Sequence, residues 1–117
     1  MSLIGTYTNN CTGDKLQITD ANDSNGVLAG KLTTSFAGNP VTLSVSGHYH
    51  FISSTGPATS ISLLAVHDDN PANIYEAWAA TGASPNFPQL TAFGGRAIVE
   101  TNGKTTNCSV EGSFTRQ

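Results

Sequence analysis

The sequence predicts an all-β domain, and three observations point to that fold class. Short runs that alternate apolar and polar residues follow one another along the 117-residue chain, as strands with one buried face do. Turn-forming Gly, Asn, Asp and Pro residues separate these runs at a spacing typical of a β-sandwich or a β-barrel. A convincing helical pattern is missing, so we expect strands from end to end.

We assign eight strands, each bounded by residues that favour turns. The first two flank a turn at Thr12-Gly13-Asp14, and Asn25-Gly26 separates the second from the third because this pair readily adopts positive φ. Asn39-Pro40 breaks the chain before the fourth strand, and Asn102-Gly103 precedes the eighth. A short helix is the competing interpretation only for the sixth. The assigned strands are residues 4–11, 15–20, 27–35, 41–51, 60–67, 74–80, 90–101 and 107–116.

The fifth strand has two apolar faces, whereas the fourth has only one. Ile61, Leu63 and Ala65 alternate there with Leu64 and Val66, so both faces should be buried. In a single-layer barrel, an outer face is buried only against a loop or another subunit. We therefore expect a homodimer or homotetramer.

The composition excludes several classes of partner. Only 11% of the residues are charged and the formal net charge is -3, compared with about 25% charged residues in ordinary soluble domains. A basic patch is missing, which argues against nucleic acid. No apolar run approaches the roughly 18 residues that a membrane span needs. No basic or apolar leader segment precedes the first strand, which leaves the cellular location open.

An ordered series of short motifs along nearly the whole chain resembles the avidin/streptavidin family. Gly5-Thr6-Tyr7-Thr8-Asn9 resembles the family's opening Gly-x-Trp-x-Asn, and Ser46-Gly47-His48-Tyr49 its fourth-strand Ser/Thr-Gly-Arg-Tyr. Glu76-Ala77-Trp78 resembles the sixth-strand Thr-Thr-Trp, and Arg96 and Ser113-Phe114-Thr115-Arg116 also fall in place. The resemblance implies one domain, an eight-stranded antiparallel up-and-down β-barrel that binds biotin or a related small molecule in its mouth. It implies neither catalysis nor a cofactor.

The resemblance also carries ligand contacts onto positions of this chain. Asn9 matches the first-strand asparagine of the family, and Thr34 matches its third-strand hydroxyl. Asp14 falls where the family has a serine, and Asn39 matches a loop residue that meets the carboxylate tail of biotin. Trp78, the only tryptophan in the chain, is retained from the family's aromatic box.

Other ligand positions depart from the family. Leu32 replaces a tyrosine, Glu76 a threonine, and Gly112 an aspartate or asparagine that binds a ureido nitrogen. Two further aromatic positions fall on Val66 and near Thr101. Losing one buried polar partner costs about 1–3 kcal/mol, and about 1.4 kcal/mol is a tenfold change in affinity. We therefore expect the ligand to bind much more weakly than biotin binds to avidin.

Three of these residues have two interpretations each. Asn9 is either a ligand donor or a cap at a strand end, and Trp78 is either a pocket wall or a core aromatic. Glu76 shares the face of Trp78, so inside a barrel it needs a polar ligand, water or a partner such as Lys31. If the sixth strand is shifted by one residue, Glu76 instead faces solvent.

The two cysteines are candidates for a disulfide across the barrel seam. If the first and last strands pair with Gly5 opposite Phe114, Cys11 lies opposite Cys108 at a separation that a disulfide bridges. We therefore expect a Cys11–Cys108 bond, and a secreted or extracellular protein if that bond forms. The alternative is two reduced thiols in a cytosolic protein.

The histidines raise the question of a metal site. His48 and His50 share one face of the fourth strand, with His67 and Asp68-Asp69 as candidate further ligands. Hairpin pairing places His67 opposite about Val45, on the other face from His48. We therefore expect exposed or interface histidines and no metal.

A second function remains open beside small-ligand binding. The loops around Asn39, Asp68-Asp69 and Asn86 are polar, which also suits a multivalent carbohydrate-binding, lectin-like or defence protein with a glycan partner. No nucleophile elbow, phosphate loop, CxxC or HExxH motif is present, so we do not expect an enzyme.

Overall fold

The strands close into one antiparallel β-barrel, in which each strand pairs with its sequence neighbours and β8 pairs with β1. This architecture comes from a computed structural model that describes residues 3–51, 58–69, 72–83 and 87–117. It confirms the up-and-down barrel and excludes the sandwich. The strands are β1 Gly5–Asn9, β2 Lys15–Asn22, β3 Val27–Phe36, β4 Asn39–Phe51, β5 Ala58–Asp69, β6 Ala72–Ala83, β7 Gln89–Glu100 and β8 Thr105–Arg116.

The sixth segment is a strand, so the short-helix alternative is wrong. Its residues pair along their whole length with β5 on one side and β7 on the other. Within the described ranges, no helix is long and apolar enough to cross a membrane.

The turns form where the sequence predicts them, with one shift. Gly26 between β2 and β3 and Gly103 between β7 and β8 have φ of 72° and 87°, as their hairpins require. Between β3 and β4 the turn residues are Ala37 and Gly38, with φ of 53° and 82°. The fourth strand therefore begins at Asn39, earlier than predicted, and Pro40 is tolerated because it lies at the strand's start.

Alternate residues of the strands point into the barrel and form a continuous apolar core. The largest fully buried side chains of the core are Tyr7, Phe87, Phe114, Leu3, Leu16, Ile18, Leu28, Leu32, Leu43, Ile74 and Leu90.

At the end where β1 begins, Arg116 joins the two ends of the chain. Its Nη2 donates to the Tyr7 hydroxyl over 2.7 Å and its Nη1 to the Ile4 carbonyl over 3.0 Å. The Gln117 amide donates to the Thr6 carbonyl.

The seam between β1 and β8 has a different register from the predicted one. Phe114 lies opposite Asn9 and not opposite Gly5, a shift of four residues along β1. The strand ends at Asn9, because the chain turns there and Cys11 belongs to that turn. Cys108 instead lies opposite Arg96 in the β7–β8 pair. Both cysteines are free and exposed, so the predicted Cys11–Cys108 disulfide is wrong.

The outer surface of β5, β6 and β7 carries a cluster of exposed apolar side chains. Leu64, Tyr75 and Phe93 are 58%, 37% and 67% exposed. Leu64 and Tyr75 line a hollow of 740 Å³ together with Val66 and Gly95, and Phe93 lies two residues before Gly95 on β7. We call the five residues the outer apolar face. In the single chain the inward Leu63 of β5 is buried, whereas Leu64 on its outer side is exposed.

Candidate functional site

The polar residues singled out in the sequence lie mainly at one end of the barrel. This end, called the mouth, is formed by the turns that join β1 to β2, β3 to β4 and β7 to β8. Asn9 and Asp14 flank the first turn, and Thr34 lies near the end of β3. Asp14 and Thr34 border a hollow of 330 Å³ at the rim.

Glu76 is the buried charge of the site, with 3% of its surface exposed. Its Oε1 accepts a hydrogen bond from Trp78 Nε1 and its Oε2 accepts one from Arg96 Nε, both over 2.7 Å. A buried carboxylate is stable only when it is paired in this way. Glu76 therefore faces the interior, and its partner is Arg96, whereas Lys31 is exposed.

Arg96 is the functional candidate that the sequence reasoning missed, since it appeared there only as one of the motif matches. It lies directly opposite Glu76 in the β6–β7 pair. Its Nη2 donates to Thr34 Oγ1 over 2.6 Å and stands 4.0 Å from Asp14 Oδ2. The guanidinium therefore reaches across the interior from β7 to β3. In the sequence, the apolar residues Leu90 and Ala92 occupy alternate positions of β7 in step with Arg96, and this period of two predicts that Arg96 points to the same side as they do.

Trp78 is a core aromatic whose polar atom is already bonded. Its side chain is 5% exposed, and its ring meets the ring of Phe114 edge to face at 5.2 Å. The indole N–H is bonded to Glu76. Leu32, at the family's tyrosine position, is 1% exposed and also belongs to the core.

Asn9 is a cap at the end of β1, which is one of the two roles that the sequence left open for it. Its Oδ1 accepts hydrogen bonds from the Cys11 and Thr12 amides over 2.8 and 3.0 Å, which closes the β1–β2 turn. Its side-chain nitrogen, Nδ2, is buried and has no hydrogen-bond partner among the residues that the structure describes. Buried donors without partners are rare in folded proteins, because each one costs about 1–3 kcal/mol. This atom therefore marks a place where an acceptor group would bind favourably.

Gly112 provides the room in which the Asn9 side chain lies. A Cβ at position 112 would lie 2.8 Å from Asn9 Oδ1 and 3.1 Å from Asn9 Nδ2, and the φ of Gly112 is 142°. The amide of Asn9 therefore fills the space into which a side chain at position 112 would extend. The absence of a polar side chain at this position is thus coupled to the conformation of Asn9.

Asn39 is the predicted contact that the structure keeps apart from the others. It is exposed at the start of β4, and its Nδ2 donates to the carbonyl of Ala37, 3.5 Å away within the same turn. The loop residue Asn86 lies outside the described residues.

The histidines do not assemble into a cluster. His48 and His50 are exposed on the outer face of β4, opposite Ser62 and Ser60. His67 lies on the other face of the sheet, with Nδ1 3.2 Å from the carbonyl oxygen of Thr42. The part of the chain that the structure describes contains no group of three or more His, Cys, Asp or Glu side chains that could hold a metal ion.

Comparison with solved structures identifies the type of barrel. The apo structure of bradavidin2 matches with a TM-score of 0.69 at 19% identity, covering 99% of this chain and 98% of that chain. The bradavidin2–biotin complex matches with a TM-score of 0.64 at 20% identity, covering 100% and 99%. Apo shwanavidin matches with a TM-score of 0.59 at 20% identity, covering 100% and 98%.

These structures are of avidin-type proteins, so the chain has an avidin-like fold, as its motifs predicted. No protein-family model matches the sequence, and no curated protein sequence matches it.

Proposed function

We propose that this chain is a non-catalytic binding protein that holds a biotin-like small molecule in the barrel mouth, with an affinity far below that of avidin. The observation that carries the proposal is the buried Nδ2 of Asn9, a hydrogen-bond donor without a partner in the described part of the chain. A carbonyl oxygen, such as that of a cyclic urea, would satisfy it. The avidin-like fold supports this choice, because the matching bradavidin2 structure is a biotin complex.

The low affinity follows from how the other polar groups are used. Four polar side chains already bond to one another, namely those of Glu76, Trp78, Thr34 and Arg96. A ligand could bind to these side chains only by breaking the hydrogen bonds between them. Each such exchange returns little net free energy, because one hydrogen bond is replaced by another. A ligand would gain new polar contacts chiefly from Asn9.

Titration calorimetry with biotin tests the proposal on the wild-type protein and on Asn9→Asp. The substitution keeps an oxygen to cap the Cys11 and Thr12 amides and removes the donor nitrogen. We expect biotin to bind the wild type measurably and Asn9→Asp about tenfold or more weakly. Pentanoic acid, which resembles only the tail of biotin, should not bind to either protein.

Asn25→Asp is the matched control, because the exposed Asn25 also accepts a hydrogen bond from a turn amide with its Oδ1 but lies at the end of the barrel opposite the mouth, so biotin binding should be unaltered. A wild-type protein that shows no heat and no thermal shift with biotin would overturn the proposal. Equal affinity of Asn9→Asp and wild type would also overturn it.

The carbohydrate-binding alternative predicts a different outcome in a separate assay. A multivalent lectin would agglutinate cells, and free sugars would block this while biotin would not. Among the described residues, its candidate Asn39 bonds within its own turn. We therefore place small-ligand binding first.

We also propose that the protein assembles as a homodimer or homotetramer through the outer apolar face. Monomeric proteins rarely expose a contiguous apolar patch of this kind. Phe93 projects beside the hollow at Gly95, so two copies related by a twofold axis would each offer a projecting ring and a gap to receive it. Phe93→Lys should lower the mass measured by light scattering, whereas Val27→Lys, at a site 44% exposed on β3, should not. A wild-type monomer would contradict the proposal.

A further inference from the structure

The guanidinium of Arg96 lies in a set of hydrogen-bond acceptors inside the barrel. Arg96 Nε lies 2.7 Å and Nη2 lies 2.6 Å from Glu76 Oε2. The same Nη2 donates to Thr34 Oγ1 over 2.6 Å, and a second carboxylate, that of Asp14, is 4.0 Å away. Acceptors from β3, from β6 and from the turn between β1 and β2 thus converge on one planar group that is rich in N–H donors.

Glu76 and the backbone of Thr34 are also held by contacts that do not involve Arg96. Glu76 is also fixed by Trp78, whose N–H binds the other carboxylate oxygen, and Thr34 belongs to the β3–β4 ladder. If the Arg96 side chain were removed, a fixed carboxylate and a hydroxyl would still face the same space. Guanidinium-like groups match such acceptors because their donors are planar and held in a fork.

We propose that Arg96 fills, from within the chain, a binding site for planar N–H-rich cations, and so determines which ligands the mouth accepts. While Arg96 is present, it occupies the acceptors of Glu76 and Thr34, so an incoming ligand meets the donor of Asn9 in place of those acceptors. The mouth therefore selects ligands that present acceptor oxygens. This consequence for ligands rests on the proposed function, whereas the cation site itself does not.

Removing the arginine tests the proposal directly. Arg96→Ala leaves Glu76 buried without a cation, so the variant should melt well below the wild type. Ethylguanidinium supplies the atoms that the substitution removes. At about 20 mM it should raise the melting temperature of Arg96→Ala by about 2–4 °C above a sodium chloride control of equal ionic strength. Guanidinium should act in the same direction, and the wild type should not respond.

Two further variants separate recognition from general effects of the salt. Arg96→Lys keeps a cation but blocks the space, so ethylguanidinium should not stabilise it. In the double variant Glu76→Gln with Arg96→Ala, the carboxylate is gone and the stabilisation by ethylguanidinium should disappear. Ammonium, which lacks the planar fork, should stabilise Arg96→Ala less than ethylguanidinium does.

If Arg96→Ala fails to fold, its refolding yield with ethylguanidinium against sodium chloride replaces the melting temperature as the readout. The proposal predicts a higher yield with ethylguanidinium. Equal stability or yield of Arg96→Ala in both salts would overturn it, as would equal stabilisation of the single and double variants. Because no biotin-like ligand is used, failure here is distinct from failure of the proposed function.

Discussion

The side chain of Asn9 packs directly on the backbone of Gly112, and a Cβ at position 112 would lie 2.8 Å from Asn9 Oδ1. This contact joins β1 to β8 at the seam of the barrel, next to the turn that Asn9 caps. The conformation of the buried amide therefore depends on a glycine in the last strand. Any side chain at position 112 would have to displace Asn9, which would also disturb the Cys11 and Thr12 hydrogen bonds.

Gly112→Ala should destabilise the protein by about 1–3 kcal/mol, because the φ of 142° and the Asn9 contact both oppose a side chain. The free energy of unfolding in urea measures this loss. Gly13→Ala is the matched control, since Gly13 also has a positive φ, of 78°, but a Cβ there would meet no atom of the described residues within 4 Å. If Gly112→Ala were as stable as Gly13→Ala, the packing of Asn9 against position 112 would be wrong.

Glu76→Gln should cost about 2–4 kcal/mol, because it removes the carboxylate in direct contact with the partly buried Arg96 and leaves only that of Asp14, 4.0 Å away. Chemical denaturation measures the loss. Trp78 fluorescence should change as well, since its N–H then binds a neutral amide. Glu111→Gln, at an exposed position of β8, serves as control and should leave both readouts unchanged.

Alkaline pH should unfold the protein through two tyrosines. Burial raises the pKa of Tyr7 and of Tyr49, and for Tyr49 the hydrogen bond to Asp23 raises it further. A raised pKa means that the folded state holds its proton more tightly. The stability is therefore complete below the ordinary tyrosine pKa of about 10 and falls above it, by up to about 1.4 kcal/mol per pH unit for each group.

Tyr49→Phe isolates one of these groups. The variant should lose some stability at neutral pH, but its unfolding free energy should fall less steeply than that of the wild type above pH about 10. Urea unfolding at several pH values measures the slopes. Identical slopes would show that Tyr49 does not titrate with unfolding.

Cys11 and Cys108 should both react with a thiol reagent in the native protein, because both are free and exposed. Replacing both with serine should change the unfolding free energy by no more than about 0.5 kcal/mol. Native titration without reductant counts the thiols. A count below two would indicate that a disulfide forms after all.

The strand pattern of the sequence predicts the barrel but not the register of the seam between β1 and β8. The period of two along each strand places Glu76 and Trp78 on one face, and the structure shows that this face points inward. A shift of four residues along β1 leaves every side chain on the same face, so the hydrophobic pattern does not distinguish Gly5 from Asn9 as the partner of Phe114. The choice depends on where the turn capped by Asn9 begins.

The sequence predicted residues of the candidate site but not the contacts between them. Asn9, Thr34 and Glu76 were identified as inward-facing or polar candidates, but their partners were not. The contact between Arg96 and Thr34 crosses the interior between strands that are not neighbours. It depends on the curvature of the closed barrel and on the length of the arginine side chain, which strand patterns do not encode.

The hydrogen bonds of Arg116 determine where the two ends of the chain leave the barrel relative to its mouth. The two ends of the chain leave side by side from the end of the barrel opposite the mouth, because Arg116 binds Ile4 and Gln117 binds Thr6. A tether, fusion partner or solid support attached at either end would therefore hold the mouth outward and unobstructed. A short linker between the two ends would also allow a circular permutant, in which the new ends lie at an exposed turn of the mouth and the β1–β8 pair stays intact.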